Sequence, residues 1–197
     1  MEISALFPIL VVLVLGAMSP GPSLVVLLRN TIEGGKARGV SCGIGHGIGF
    51  GIYAFVAIAG IAQLKASASN AASFLEITGG MFLLFLAAMM FKGSDEESVH
   101  KRSTRRGFSE GFLIAFLNPK ILVFLIAIFS QFVQPEFTWI ERLTIAVIAM
   151  VIDGGWYVLV SLLISETKAL SKLQQHAREF EMTMATVLAC LGIWIIL

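Results

Sequence analysis

Asp153 stands in the middle of an apolar run over 143–164. A carboxylate at that depth in a bilayer costs about 3 kcal/mol or more unless it is paired, hydrated or protonated. Two readings follow. Either Asp153 carries a proton, or it forms a fixed ion pair, for which Lys120 in the run over 108–133 is the obvious partner. They are compatible, because a Lys120–Asp153 pair that opens on substrate or proton binding would couple the two events. Trp156 lies one helical turn beyond Asp153, so it can share that face and line the same cavity. Glu76, in the run over 71–91, is a second candidate for coupling.

Two further runs are interrupted where lipid penalises interruption most. One contains Met18-Ser19-Pro20-Gly21-Pro22-Ser23 and the other Leu117-Asn118-Pro119-Lys120. Proline removes a backbone donor and clashes with the preceding turn, so a buried helix ends there. Ser19 and Asn118 are good N-cap residues, and Pro20 and Pro119 suit the first position of a new helix. Each run is therefore predicted to hold a second half-helix whose positive N-terminal end opens inside the membrane. Paired broken helices in corresponding halves point to a transporter's midplane binding site. The candidate substrate-binding residues are Ser19, Pro20, Gly21, Pro22, Asn118, Pro119, Lys120 and Trp156. Lys120, one residue past the proline, can hold a substrate carboxylate, or it neutralises Asp153 or Glu76.

The elements that must carry these residues are apolar runs over about 4–28, 40–62, 71–91, 108–133, 143–164 and 181–197. With 57% hydrophobic and 14% charged residues, the chain departs far from a soluble domain. The reading is an all-α integral membrane protein of six transmembrane helices, a single domain over 1–197. Repeat one covers about 4–91, a cytoplasmic loop 92–107, and repeat two about 108–197. The first run lacks a basic leader and a small-residue cleavage site, so it is read as a retained helix. Basic residues cluster at Arg29, Lys36 and Arg38, at Lys92, Lys101, Arg102, Arg105 and Arg106, and at Lys168, Lys172 and Arg178. The alternate connectors hold only Lys65 and Arg142. Odd connectors are thus expected in the cytoplasm and both termini outside.

Three spans per half in that orientation make the second half an inverted repeat of the first. Gly-Phe-Gly-Ile-Tyr at 49–53 faces Gly-Gly-Trp-Tyr at 154–157, and Leu75-Glu76-Ile77-Thr78 faces Phe180-Glu181-Met182-Thr183. Glycines 43, 45, 47, 49 and 51 give overlapping GxxxG spacings, read as close helix packing within or between protomers, or as a backbone-lined path. His46 among them either hydrogen-bonds across helices or titrates during transport. Trp139 and Trp194 read as interface anchors, Glu181 as a boundary residue, and the mixed-charge loop after Lys92 as solvated rather than a nucleic-acid patch. Cys42 and Cys190 have no metal-ligand or redox spacing and read as packing residues. No phosphate-binding loop, HExxH or GxSxG is present, so the expectation is no enzyme, no cofactor and no bound metal, with transport driven by an ion gradient.

Ser19-Pro20-Gly21-Pro22 with the glycine series resembles the first half of the LysE/RhtB family of amino-acid exporters. Gly107-Phe108-x-x-Gly111-Phe112, Asn118-Pro119-Lys120, Gln131-Phe132, Asp153 and Trp156-Tyr157 are similar to that family's second half. The resemblance covers nearly the whole chain. It implies a bacterial inner-membrane carrier that exports amino acids or their derivatives by proton antiport, with the two proline motifs at the transport site and Asp153 nearby. An amino-acid zwitterion would offer its carboxylate to the half-helix N-termini and its ammonium to Asp153. A divalent-cation exporter of related architecture remains an alternative, although it would want several intramembrane acids. A membrane thiol–disulfide electron carrier would place cysteines beside the broken helices, and a non-transporting scaffold needs neither buried acid nor paired breaks. The substrate stays open between lysine, threonine, homoserine, branched-chain and cysteine-type compounds.

Overall fold

The computed structural model describes residues 3–19, 21–67 and 107–164, with short stretches at 77–78, 81, 84–85, 87–88, 179, 182–183, 185–186, 189–190 and 193. Side chains are described for these except at 3–6, 119, 120 and 123. The described elements are all helical: α1 (Ile3–Met18), α2 (Pro22–Ser67), α3 (Gly107–Phe116), α4 (Pro119–Phe132) and α5 (Trp139–Ile164). Among the described residues, α2 and α5 contain windows long and apolar enough to cross a bilayer. α1 and α3 are shorter apolar helices.

The second break follows from its sequence. Asn118 ends the run of α3, and its carbonyl accepts from the N–H groups of Ile121 (3.1 Å) and Leu122 (3.3 Å), with Pro119 at the first position of α4. The first break is shifted from the expectation. The carbonyl of Gly21 accepts from Leu24 (3.0 Å) and Val25 (3.3 Å), so Gly21 is the cap and Pro22, not Pro20, opens the new helix. The Ser19 N–H instead donates to Gly16 O at 3.1 Å, closing the turn that ends α1, and its hydroxyl caps nothing. Pro22 lacks the N–H that a first helical turn leaves unpaired, so it suits that position. Pro20 lies outside the described residues.

The first connector also differs from a loop. As a straight rod, the 46 residues of α2 would run about 69 Å, more than twice a bilayer's apolar core. The rod is broken at Gly35, whose φ of 78° and ψ of 171° are open to glycine alone. The chain reverses there. Arg38 Nε donates to Asn30 Oδ1 at 2.7 Å, and a Cβ placed on Gly39 would sit 2.9 Å from Thr31 Cβ. Residues eight apart on a straight helix would be about 12 Å apart. The basic connector is thus a helical hairpin whose turn is one glycine, with Arg29 and Glu33 paired at 3.2 Å just before it.

The arm over 36–67 is the centre of the assembly, packed between α3 and α5. The alternating glycines explain how. Residues two apart on a helix point about 200° apart, so a glycine at every second position makes two bare stripes on opposite sides. Gly43, Gly47 and Gly51 face Val158, Gly154 and Met150 of α5, while Gly45 and Gly49 face Phe108 and Phe112 of α3. Gly111 returns the approach from α3, with the Cys42 carbonyl against it. Two helices thereby reach backbone contact with the same arm.

One apolar core joins α1, the far half of this arm, α4 and α5 through Leu13, Phe50, Ile58, Leu125, Phe129 and Ile145. A second gathers Val26, Leu27, Cys42, Tyr157, Val160 and Ile164. Large apolar side chains also cover the outside: Phe7, Val56, Leu117, Ile140, Val151 and Leu163 are each more than half exposed. Such a surface suits lipid. α5 enters through a capping box, in which the Thr138 N–H donates to Glu141 Oε2 (2.8 Å) and the Glu141 N–H donates to Thr138 Oγ1 (3.3 Å). Arg142 covers the Trp139 ring at 4.9 Å and donates to the Phe137 and Pro135 carbonyls, an arrangement suited to a membrane boundary.

Candidate functional site

The glycine stripes bring together two groups that lipid would otherwise forbid. His46 stands between the stripes, and Asp153 precedes Gly154, which Gly47 meets. The consequence is a contact of 2.6 Å between His46 Nδ1 and Asp153 Oδ2, with both side chains almost wholly buried. That separation is at the short end for a nitrogen–carboxylate bond, as expected in a low-dielectric site. Among the described side chains, Asp153 therefore pairs with a histidine on the second span. Lys120 falls in the first turn of α4, and its side chain is outside the described ones.

One helical turn beyond Asp153, the Tyr157 ring stacks on the His46 imidazole, with centroids 4.1 Å apart and planes at 21°. The Tyr157 hydroxyl lies in hydrogen-bonding reach of Ser23, a buried residue in the first turn after the Pro22 break. Ser23, Tyr157, His46 and Asp153 thus lie in succession, linked by one hydroxyl contact, one ring stack and one acid–imidazole contact. Trp156 is half-buried and packs against the cluster that holds Val26, Leu27, Cys42, Tyr157 and Val160. Tyr157, at the i+4 position from Asp153, is the aromatic ring that stacks on His46.

Two buried polar atoms have no hydrogen-bond partner among the described residues: His46 Nε2 and Ser19 Oγ. Buried polar atoms in native proteins are seldom left so, and such atoms are where a ligand, ion or proton belongs. Ser19 sits in the bend just before the break, and Gly21 and Pro22 shape the new helix start. Asn118 is half-buried at the second break. Pro119 opens α4 there. Glu76 and Pro20 lie outside the described residues.

A second polar cluster lies at the hairpin. Asn30 donates through Nδ2 to Val26 O and to Glu110 Oε2, each at 2.9 Å, and accepts from Arg38 Nε. Arg38 also reaches Glu110 Oε1 at 3.4 Å. Both arms of α2 and the start of α3 are tied by this network. Beside it, Thr31 Oγ1 donates to Leu27 O (2.9 Å) and approaches Ser161 Oγ of α5 at 3.4 Å. Cys42 is buried and Cys190 exposed, and both are free thiols.

The sequence offers His46 as a cross-helix hydrogen-bonding or titrating group and Tyr157 as part of a motif, but it does not pair either with Asp153. The available signal was the glycine spacing: a histidine flanked by two bare stripes must lie where two other helices come closest. An all-helical chain with apolar outer surfaces, broken helices and a buried acid–imidazole pair has the character of a polytopic membrane transporter. The LysE type translocator family model matches residues 14–197, so the chain belongs to that family. Similar proteins include the uncharacterized membrane protein YahN of Escherichia coli K12, 28% identical over 131 residues, which are 61% of this chain and 57% of that protein. A homoserine/homoserine lactone efflux protein of Salmonella typhimurium LT2 is 25% identical over 142 residues, 70% of this chain and 69% of the relative. An uncharacterized membrane protein of Vibrio cholerae serotype O1 is 25% identical over 159 residues, 78% of each. No solved structure matches the chain.

Proposed function

We propose that this protein exports small amino-acid-type solutes from the bacterial cytoplasm by exchange for protons, as a six-span inner-membrane carrier built from two inverted repeats. The distribution of basic residues supports a topology with both termini outside. The observation that carries the proposal is the His46–Asp153 pair at 2.6 Å, sealed from solvent and joined through Tyr157 and Ser23 to the break at Pro22. An acid–base pair in that position can gain and lose a proton, while the helix starts at Pro22 and Pro119 offer unpaired N–H groups to a carboxylate. Ser19, Pro20, Gly21, Pro22, Asn118, Pro119, Lys120 and Trp156 form the proposed substrate site, and Asp153, with Glu76 as the outlying candidate, the coupling site.

Membership of the translocator family supports the export direction. The names of two relatives bring homoserine and its lactone forward as first substrates to try. An uncharged side chain fits a site where Asp153 is the buried carboxylate among the described residues. The test is counterflow and gradient-driven flux in proteoliposomes, using radiolabelled homoserine, threonine, lysine, leucine and cysteine. Flux of one of these stimulated by an inward proton gradient is the expected result. Folded, reconstituted protein that moves none of them would overturn the proposal.

A further inference from the structure

We infer that His46 Nε2 is the atom at which substrate ammonium and proton compete, and that Asp153 is a positioning residue that keeps this atom available. The inference rests on the exporter reading above and assigns its coupling to one nitrogen.

The argument begins with the proton count of the pair. An ionised carboxylate only accepts hydrogen bonds, so the 2.6 Å contact with Asp153 puts a hydrogen on His46 Nδ1. With that one proton, Nε2 carries a bare lone pair and the pair has a net charge of −1. Adding a second proton gives either imidazolium beside carboxylate or a carboxylic acid whose O–H donates to Nδ1 of a neutral imidazole. In both arrangements Nε2 bears the hydrogen, and the net charge is zero. The two proton states therefore differ at Nε2: an acceptor in one, a donor in the other.

Nε2 is also one of the two buried polar atoms without a hydrogen-bond partner among the described residues. A substrate ammonium needs an acceptor and a compensating negative charge, and the singly protonated pair supplies both. The doubly protonated pair supplies neither. Ammonium and second proton thus exclude each other at one atom, which is the elementary requirement for antiport. No bond is made or broken apart from the transfer of that proton between water and Nε2.

Among the described residues, the groups that face the pair are few. From α5 the ring faces Asp153 and Tyr157, and from its own helix Cys42 lies one turn away. The charged group of α3, Glu110, is engaged by Asn30 and Arg38. The first arm of α2 contributes the Ser23 hydroxyl against Tyr157. In this structure the ring is closed to solvent, so substrate or proton reaches Nε2 only when the packed helices part.

The test uses the purified full chain in proteoliposomes and detergent, with the best-moved amino acid of the panel as probe. His46→Gln keeps a polar side chain that does not titrate. It is expected to raise the half-saturation concentration for counterflow at equal pH, because the ammonium loses its acceptor, and to lose all stimulation by the inward proton gradient. The wild-type half-saturation concentration rises on acidification, approaching roughly tenfold per pH unit once the pair is mostly doubly protonated, and that of His46→Gln stays flat. An amide at position 46 that leaves gradient stimulation and the pH profile unchanged overturns the assignment, while the exporter reading survives. If His46→Gln does not fold, wild-type protein alone decides: substrate added to lightly buffered protein at acidic pH must release protons, and release must fade as pH rises. Substrate binding with no proton release at any pH overturns the inference. Wild-type protein that moves no amino acid overturns the exporter reading itself.

Discussion

Replacing Gly47 by alanine tests the packing that creates the site. A Cβ on Gly47 would lie 2.6 Å from the Gly154 Cα, 2.9 Å from the Met150 carbonyl oxygen and 3.0 Å from the Gly154 nitrogen. Carbon atoms rest at about 3.5–4.0 Å, so the methyl is short of room by about 1 Å. Every obstructing atom is backbone, so no rotamer change relieves the clash and the helices must move apart. Overpacking of this kind costs about 1–3 kcal/mol, and the rigid surroundings put Gly47→Ala at the upper end. Removing a helical glycine returns about 0.5–1 kcal/mol, which leaves a net loss near 2 kcal/mol. For a chain of this size that lowers the melting temperature by roughly 4–8 °C. A shift of about 1 Å also stretches the neighbouring His46–Asp153 contact from 2.6 Å to beyond hydrogen-bonding range. Gly47→Ala should therefore melt earlier in detergent and lose gradient-driven flux together. Gly60, where a Cβ meets nothing within 4 Å, is the control, and Gly60→Ala should melt at the same temperature or slightly higher. Equal melting temperatures for the two variants would refute the close-approach argument.

Asp153→Asn should abolish proton-driven export while the purified protein remains monodisperse, because the amide keeps the shape and loses the charge; full coupling in this variant would remove Asp153 from the mechanism. Gly35→Ala should destabilise the hairpin by about 1–3 kcal/mol through backbone strain alone, since no atom lies within 4 Å of the added methyl; unchanged thermal melting would mean the turn tolerates another geometry. Asn30→Ala strips one acceptor from Arg38 and one donor from Glu110, both part-buried, and should cost about 1–3 kcal/mol in thermal unfolding. A smaller loss from Asn30→Ala in a Glu110→Gln background than in the wild type would show the expected coupling between the two. Converting both Cys42 and Cys190 to serine should leave transport intact, and loss of flux in folded double variant would revive a thiol role for this chain.

The class of fold was legible in the sequence because lipid imposes constraints that act locally. Long apolar runs, caps before prolines and the distribution of Lys and Arg are read one segment at a time. The Asn118–Pro119 break appears where this grammar places it, since a half-buried cap and a missing N–H are properties of neighbouring residues. The first break shows the limit of the same grammar. Two prolines compete within three residues, and the chain starts its helix at Pro22 rather than Pro20, with no partner for the Ser19 hydroxyl among the described residues. Between Arg29 and Arg38 the charges announced a connector, but only the dihedral angles of Gly35 show it to be a helical hairpin.

By itself the sequence determined that this protein is a helical membrane chain with interrupted spans and an acid at depth. Those are consequences of composition and short-range spacing. The tertiary structure decided what the acid meets. His46 and Asp153 are separated by more than a hundred residues, and no periodicity links them. They meet because two faces of one arm lack side chains, which lets the backbones of α3 and α5 close on it and leaves His46 facing the carboxylate. In a low-dielectric interior such a pair persists only where the packing holds both partners, and that is set by three dimensions rather than by order along the chain.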